Sequence, residues 1–248
     1  YQYEAGPDDV IYIWSPYLWS YGVDLFDKET MKPTFNSPRA KEATARLFKP
    51  LEEGILIPGS EIYGETDLQK SFQQGDVAVI ISWWWMYSGL VNPELSTLNS
   101  DQVGFAAVPG LENGNAASSV FSMPVSITSY SDNKDAAWEF LKWLSSEKME
   151  KVFVTDKSNP KHQTIVAANN AVLLDDEVNA VNNGIHRAAY GSLKGAESLL
   201  MFPEWKKCQD IIATALSKIA TGQVDLNTGL DKAAEDVENL LEEAGYYK

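Results

Sequence analysis

Cysteine is almost absent. Cys208 is the single thiol in 248 residues, which excludes an intramolecular disulfide framework and any multi-cysteine metal site. It does not point to a reducing compartment, because a chain of this size can bury an adequate core without cross-links; Cys208 reads as filler on a helix face. Histidine is nearly as scarce. His162 and His186 are the only two, and neither stands in a metal-ligand spacing or beside a nucleophile motif. Both are expected as solvated surface groups, so no catalytic residue, no metal and no cofactor are expected. Positive charge is also short, 20 Lys and Arg against 35 Asp and Glu for a net charge of −15. The chain therefore lacks the cationic footprint that nucleic acid or anionic lipid requires. No run of about twenty apolar residues is present, so no membrane-spanning segment is expected. The chain opens at Tyr1 with neither a methionine nor a charged-then-apolar leader. A processed or truncated start is expected, with any signal segment out of view.

Tryptophan is abundant, and its placement is the most informative feature. Residues Phe72 to Trp85 read FQQGDVAVIISWWW: a Gly-Asp turn, a short run rich in β-branched residues, then three consecutive tryptophans. The run predicts a buried strand that delivers indoles to its C-terminal end. Alternation along a strand would put Trp83 and Trp85 on one face and Trp84 on the other, in the core. An exposed indole face suits a sugar ring, whose axial C–H bonds form an apolar surface while its hydroxyls seek hydrogen bonds at the rim. Plain core packing with one surface tryptophan explains the same residues, and the residues alone leave both readings open. A second aromatic cluster, Trp14 to Gly22, sets Trp14, Tyr17, Trp19 and Tyr21 around Pro16 and predicts a short helix or a turn-rich loop.

Helices are predicted elsewhere from periodicity and caps. One runs from Pro38 to Glu53, capped by Ser37 with proline at its first position. Another spans Gly64 to Gln74 with Thr66 as cap. A strongly amphipathic helix follows Ser131-Asp132-Asn133-Lys134, with Ala136, Ala137, Phe140, Leu141 and Leu144 at helical spacing, and its Trp138 and Trp143 read as packing residues. A further helix leads to Phe153, and Asp175–Asn183, Glu204–Thr221 and Asn227–Glu243 complete the set, the last capped by Asn-Thr. Strands are predicted at Val103–Gly110 and at about Val120–Thr128, with a small-residue loop between them. Strands among helices, without a fixed-period repeat, place the chain in the α/β or α+β class.

Taken in order, these motifs resemble one family, the extracellular solute-binding proteins of bacterial ABC sugar importers, of the maltodextrin-binding type. The family pattern of Phe, a glycine, and then Ala-Met leading to Gly-x-Trp is similar to Phe72, Gly75, Ala78, Val79 and Trp85, with Trp83 and Trp84 replacing the usual small pair. The stretch Val103–Gly110 resembles the next family strand. Ser131-Asp132-Asn133-Lys134-Asp135-Ala136-Ala137-Trp138-Glu139-Phe140-Leu141-Lys142-Trp143-Leu144 resembles the family's most recognisable helix. Ile219-Ala220-Thr221-Gly222 with Leu230-Asp231-Lys232-Ala233-Ala234 resembles its C-terminal signature.

The resemblance implies an α/β fold of the type II periplasmic-binding kind, represented mainly by the C-terminal lobe. Residues 1–108 and 161–248 would build that lobe, and 109–160 would be a strand and helix donated to the N-terminal lobe, most of which is expected to lie before Tyr1. It implies a periplasmic or extracellular carbohydrate receptor, free or lipid-anchored through a segment outside this chain, that hands a sugar or oligosaccharide to a membrane permease and breaks no bond. Trp85 matches the family's stacking tryptophan, with Trp83 beside it. Tyr17 resembles an aromatic on the family's cleft floor, although Ser15 stands where maltodextrin binders carry an acid. Trp19 and Trp205 are further candidates that core packing explains equally well. A carbohydrate-active hydrolase and a non-transport sugar-binding module are the alternatives. A hydrolase needs two carboxylates at the cleft, and the aromatic segments 14–21 and 83–85 contain no acid.

Overall fold

A computed structural model describes residues 2–3, 6, 9–109, 118–156, 158 and 166–247. In chain order the helices are α1 (Val10–Ser20), α2 (Pro38–Glu52), α3 (Glu65–Gln73), α4 (Tyr87–Leu90), α5 (Lys134–Leu144) and α6 (Glu147–Thr155). They continue as α7 (Asn170–Leu174), α8 (Asp176–Val181), α9 (Ile185–Leu193), α10 (Trp205–Ala220) and α11 (Leu226–Glu243). Strands are minimal among the described residues: β1 (Gln2–Tyr3) pairs in parallel with β2 (Ile80–Ile81), and β3 (Ser118–Ser119) pairs in parallel with β4 (Ala196–Glu197). Contacts divide the chain into two units, one of residues 1–82, 108–119 and 195–248, the other of residues 83–107 and 120–194.

The first unit has a helical core assembled from distant parts of the sequence. Val10, Ile11, Trp14 and Leu18 of α1, Ala40, Ala43 and Leu47 of α2, Ile212 and Leu216 of α10, and Leu230, Val237 and Leu241 of α11 are all buried together. Their spacings of three, four and seven are those of apolar helical stripes. Helix α2 starts as its sequence dictates, with Ser37 Oγ accepting from the Ala40 amide and Pro38 at the first position, where a missing N–H costs nothing. Helix α1 tolerates Pro16 in its interior. A proline has no N–H to give the carbonyl four residues earlier, and that carbonyl, of Tyr12, instead accepts the Ser119 hydroxyl at 2.8 Å. Buried polar atoms are met in the same way elsewhere: Trp14 Nε1 donates to Thr44 Oγ1 at 2.8 Å, and Thr44 Oγ1 donates to the Ala40 carbonyl at 2.8 Å. Helices α2 and α11 are tied at their surface by Lys41 and Asp231, 2.7 Å apart, with Asn36 donating to the same carboxylate.

The second unit has a small core of Val154, Ala167, Val172, Leu173 and Val178. Asparagine side chains stitch its short helices. Asn182 Nδ2 donates to the Val154 and Val178 carbonyls, and Asn179 Nδ2 donates to the Leu173 and Asp175 carbonyls while its Oδ1 accepts the Arg187 amide. Helix α5 forms at the expected place, but none of its residues is buried. Trp138 and Trp143, expected as packing residues, are 56% and 50% exposed. Helical spacing creates an apolar stripe, yet it cannot supply a surface to cover it.

Several expected boundaries shift. Residues 103–109 and 120–128 hold no assigned strand, because an extended segment becomes a strand only when a neighbour accepts its ladder bonds. The strand expected ahead of the tryptophans shrinks to Ile80–Ile81. Helix α3 is capped by Gly64 rather than Thr66, and α11 by Asp225, whose side chain accepts from the Thr228 amide, rather than by the Asn-Thr pair. The loop expected from Leu111 lies mostly outside the described residues, as does His162.

Candidate functional site

The three consecutive tryptophans of the second unit do not continue a strand. Trp83 is extended, at φ −81° and ψ 136°, and Trp84–Met86 forms a 3-10 turn that runs directly into α4. The Met86 amide closes the turn on the Trp83 carbonyl at 3.2 Å, and Met86 itself is buried and anchors it. A 3-10 turn advances about 120° per residue, so the strand alternation expected to put Trp83 and Trp85 on one face does not continue through Trp84 and Trp85. All three are half-buried.

Each ring has its own surroundings. Trp83 meets Phe121 edge-on, with centroids 5.7 Å apart and an interplanar angle of 72°. Trp84 packs against the small core, as expected for the middle residue, and its ring stands at 78° to the imidazole of His186, 5.6 Å away. Trp85 follows in the same turn. Just beyond it Tyr87 meets Phe105 edge-on at 5.2 Å, and burial raises its hydroxyl pKa above the usual phenol value. The turn thus displays aromatic faces on a base held by Met86 and the core beneath Trp84. Such a surface offers stacking area and few charges, which suits a neutral ring better than an ion.

The other predicted site residues belong to the first unit. Tyr17 is half-buried on α1 and leans on the core. Trp19 and Trp205 are only 7% and 5% exposed, so packing accounts for both. The edges around Trp205 are taken by Phe26 and Phe202, at 6.4 Å and 6.0 Å. Ser15 is fully buried, with its hydroxyl donating to the Ile11 carbonyl at 2.6 Å.

His186 corrects the expectation of a solvated histidine. It is 4% exposed, and burial pushes its pKa down to about 4. Its neighbours Ile185 and Ala189 on α9 are also buried; their spacing of four, with His186 beside them, was the signal that this stretch is a packed helix. Among the described residues, no group of three or more His, Cys, Asp or Glu side chains is placed to hold a metal ion. Among the described residues, no helix is long and apolar enough to cross a membrane.

Comparison with known proteins decides the family. The model of the bacterial extracellular solute-binding protein family matches residues 2–151. The chain belongs to that family. A protein of Brucella abortus (strain 2308), provisionally named as a binding protein, is 26% identical over 234 residues, which is 94% of this solute-binding chain and 53% of the relative. Among solved structures, maltose-bound MalE3 of T. maritima has a TM-score of 0.78 at 20% identity, covering 96% of this chain and 60% of that one. A solute-binding protein of Agrobacterium vitis S4 with bound D-mannitol has a TM-score of 0.75 at 21% identity, covering 100% and 62%. The fold is therefore that of the ABC-transporter solute-binding proteins, the type II periplasmic-binding fold, and the chain spans about half the length of the curated relatives it matches.

Proposed function

We propose that this chain forms the greater part of a carbohydrate receptor for an ABC import system, capturing a sugar or oligosaccharide between two lobes by stacking and hydrogen bonding and passing it to a membrane permease. The observation that carries the reading is the turn Trp83–Trp85, three half-buried indoles on a buried anchor in a chain matched to a solute-binding family. The maltose and D-mannitol held by two structural relatives are ring or polyhydroxyl ligands of the chemistry such a surface suits. Trp85 offers the principal stacking face, with Trp83 and Tyr17 as further contacts. Trp19 and Trp205 support the fold rather than the ligand.

In this reading residues 1–108 and 161–248 are the C-terminal lobe, and 109–160 pass to a second lobe. The exposed α5 supports that division, because it presents apolar side chains that a second α/β layer would cover. Ligand binding shifts the two lobes toward a closed form that the permease selects. No bond is broken. The receptor works in the periplasm or at the outer cell surface, in keeping with the family's extracellular description.

Intrinsic tryptophan fluorescence, titrated in the full-length receptor with maltose, D-mannitol and a panel of other sugars, tests this. Saturable change with one sugar and no product formation is expected. Trp85→Ala should weaken binding by about tenfold, the loss of about 1.4 kcal/mol for a ring stacked on its ligand. Release of a shorter sugar would establish a hydrolase instead, and a folded protein silent to every sugar would end the carbohydrate reading.

A further inference from the structure

His186 occupies an unusual position beneath the indole turn. It is the second residue of α9, and the buried atoms Nδ1 and Nε2 have no hydrogen-bond partner among the described residues. A buried polar ring left unsatisfied is costly, and few such groups persist without a role. Its nearest ring is Trp84, 5.6 Å away in edge contact, and Trp84 is the first residue of the 3-10 turn and the central tryptophan of the three.

The charged groups of the elements packed on His186 are occupied elsewhere. On α9, Arg187 reaches Asp176 at 2.7 Å, and at its C-terminal end Lys194 lies over the Tyr190 ring at 5.3 Å. At the start of α8, Asp175 and Glu177 both bind Lys151 at 2.8 Å. Helix α7 contains no charged residue, and the 3-10 turn contributes only Trp84, Trp85 and Met86. Among the described residues no carboxylate forms an ion pair or hydrogen bond with the imidazole, and burial displaces its pKa, down to about 4.

We propose that His186 is the positioning residue of the Trp83–Trp85 turn: its uncharged imidazole seats Trp84, and a proton on that ring unseats it. An imidazolium needs acceptors for two N–H groups, and the described residues offer neither nitrogen a partner. Charging the ring therefore admits water, and the half-buried indole above it is the side that yields. Because Trp83, Trp84 and Trp85 are consecutive, moving the middle indole moves the stacking face of its neighbour. If the turn holds sugar as proposed above, acid weakens the hold; the seating of Trp84 by His186 does not depend on that reading.

The test is an NMR titration of this chain without sugar, from pH 7.5 to pH 3.5, following the histidine Cε1–Hε1 and tryptophan Nε1–H signals. Signals are assigned by their loss in His186→Phe and Trp84→Phe. The expected result is a His186 midpoint more than about one pH unit below the ordinary 6.5, a Trp84 indole shift with the same midpoint, and no such shift in His186→Phe. A Trp84 signal that stays constant, or a His186 signal that titrates near 6.5, overturns the proposal. If His186→Phe fails to fold, coincidence of the two midpoints in the unaltered chain decides. A second arm uses maltose on the full-length receptor. The dissociation constant should rise about twofold by pH 4 in the unaltered protein, half of whose His186 is then protonated, and should not follow that curve in His186→Phe. Matching pH curves would overturn the positioning role, whereas no maltose binding at pH 7 counts against the sugar reading and leaves the indole titration to decide.

Discussion

Two buried side chains make direct demands on their neighbours. Trp14 and Thr44 are both fully buried and joined by a 2.8 Å hydrogen bond. Thr44→Val keeps the shape and strands the indole N–H, so it should cost about 1–3 kcal/mol in urea unfolding. Cys208 lies at 0% exposure on α10, and burial, aided by the negative charge of Glu204, pushes its thiol up to about 11. A thiol-specific reagent at pH 8 should leave it untouched in the folded chain and label it fully in urea. His186 contributes through linkage. Its folded pKa of about 4 lies below the ordinary 6.5, so the unfolded chain takes up the proton first. The stability that the neutral ring allows is complete above pH 6.5, falls as pH drops from there, and is lost below pH 4, a span of about 3 kcal/mol. His186→Phe should remove that part of the decline when urea midpoints at pH 7 and pH 4.5 are compared with those of the unaltered chain.

Among the elements, α5 gives the sharpest expectation. Its Trp138 and Phe140 are each more than half exposed, so replacing both with glutamate should change the stability of the 248-residue chain by less than about 0.5 kcal/mol per site while lowering the binding of an apolar dye such as ANS. The helices were largely readable from the sequence, because caps and apolar stripes are local: Ser37-Pro38 begins α2 and the stripe from Ala137 to Leu144 marks α5. Strands were not, since a stretch such as those expected at 103–110 and 120–128 becomes a strand only beside a partner that the local sequence does not name. The site was readable in part. Trp83–Trp85 stood out by composition, but whether they continue a strand or enter a turn depends on Met86 finding a buried seat, a tertiary event. His186 was misread because scarcity says nothing about burial, and only the helical spacing around it did.

At the scale of the whole molecule, the net charge of −15 makes like chains repel one another and is of the same sign as nucleic acid and acidic lipid. Its ion pairs, such as Lys41 with Asp231 and Lys151 with Asp175, sit at the surface. Surface pairs contribute little individually, so raising the salt from 0.05 M to 0.5 M should shift the thermal midpoint by no more than a few degrees.

The core of the first unit carries a consequence for synthesis. Helices α1 and α2 are made before α10 and α11, which begin at Trp205 and Leu226 and share one buried core with Trp14, Leu18 and Leu47. The carbonyl left open by Pro16 also waits for Ser119. A growing chain therefore cannot complete this unit as it leaves the ribosome. It stays unfinished until α11 has emerged, with its apolar stripes open to chaperones meanwhile.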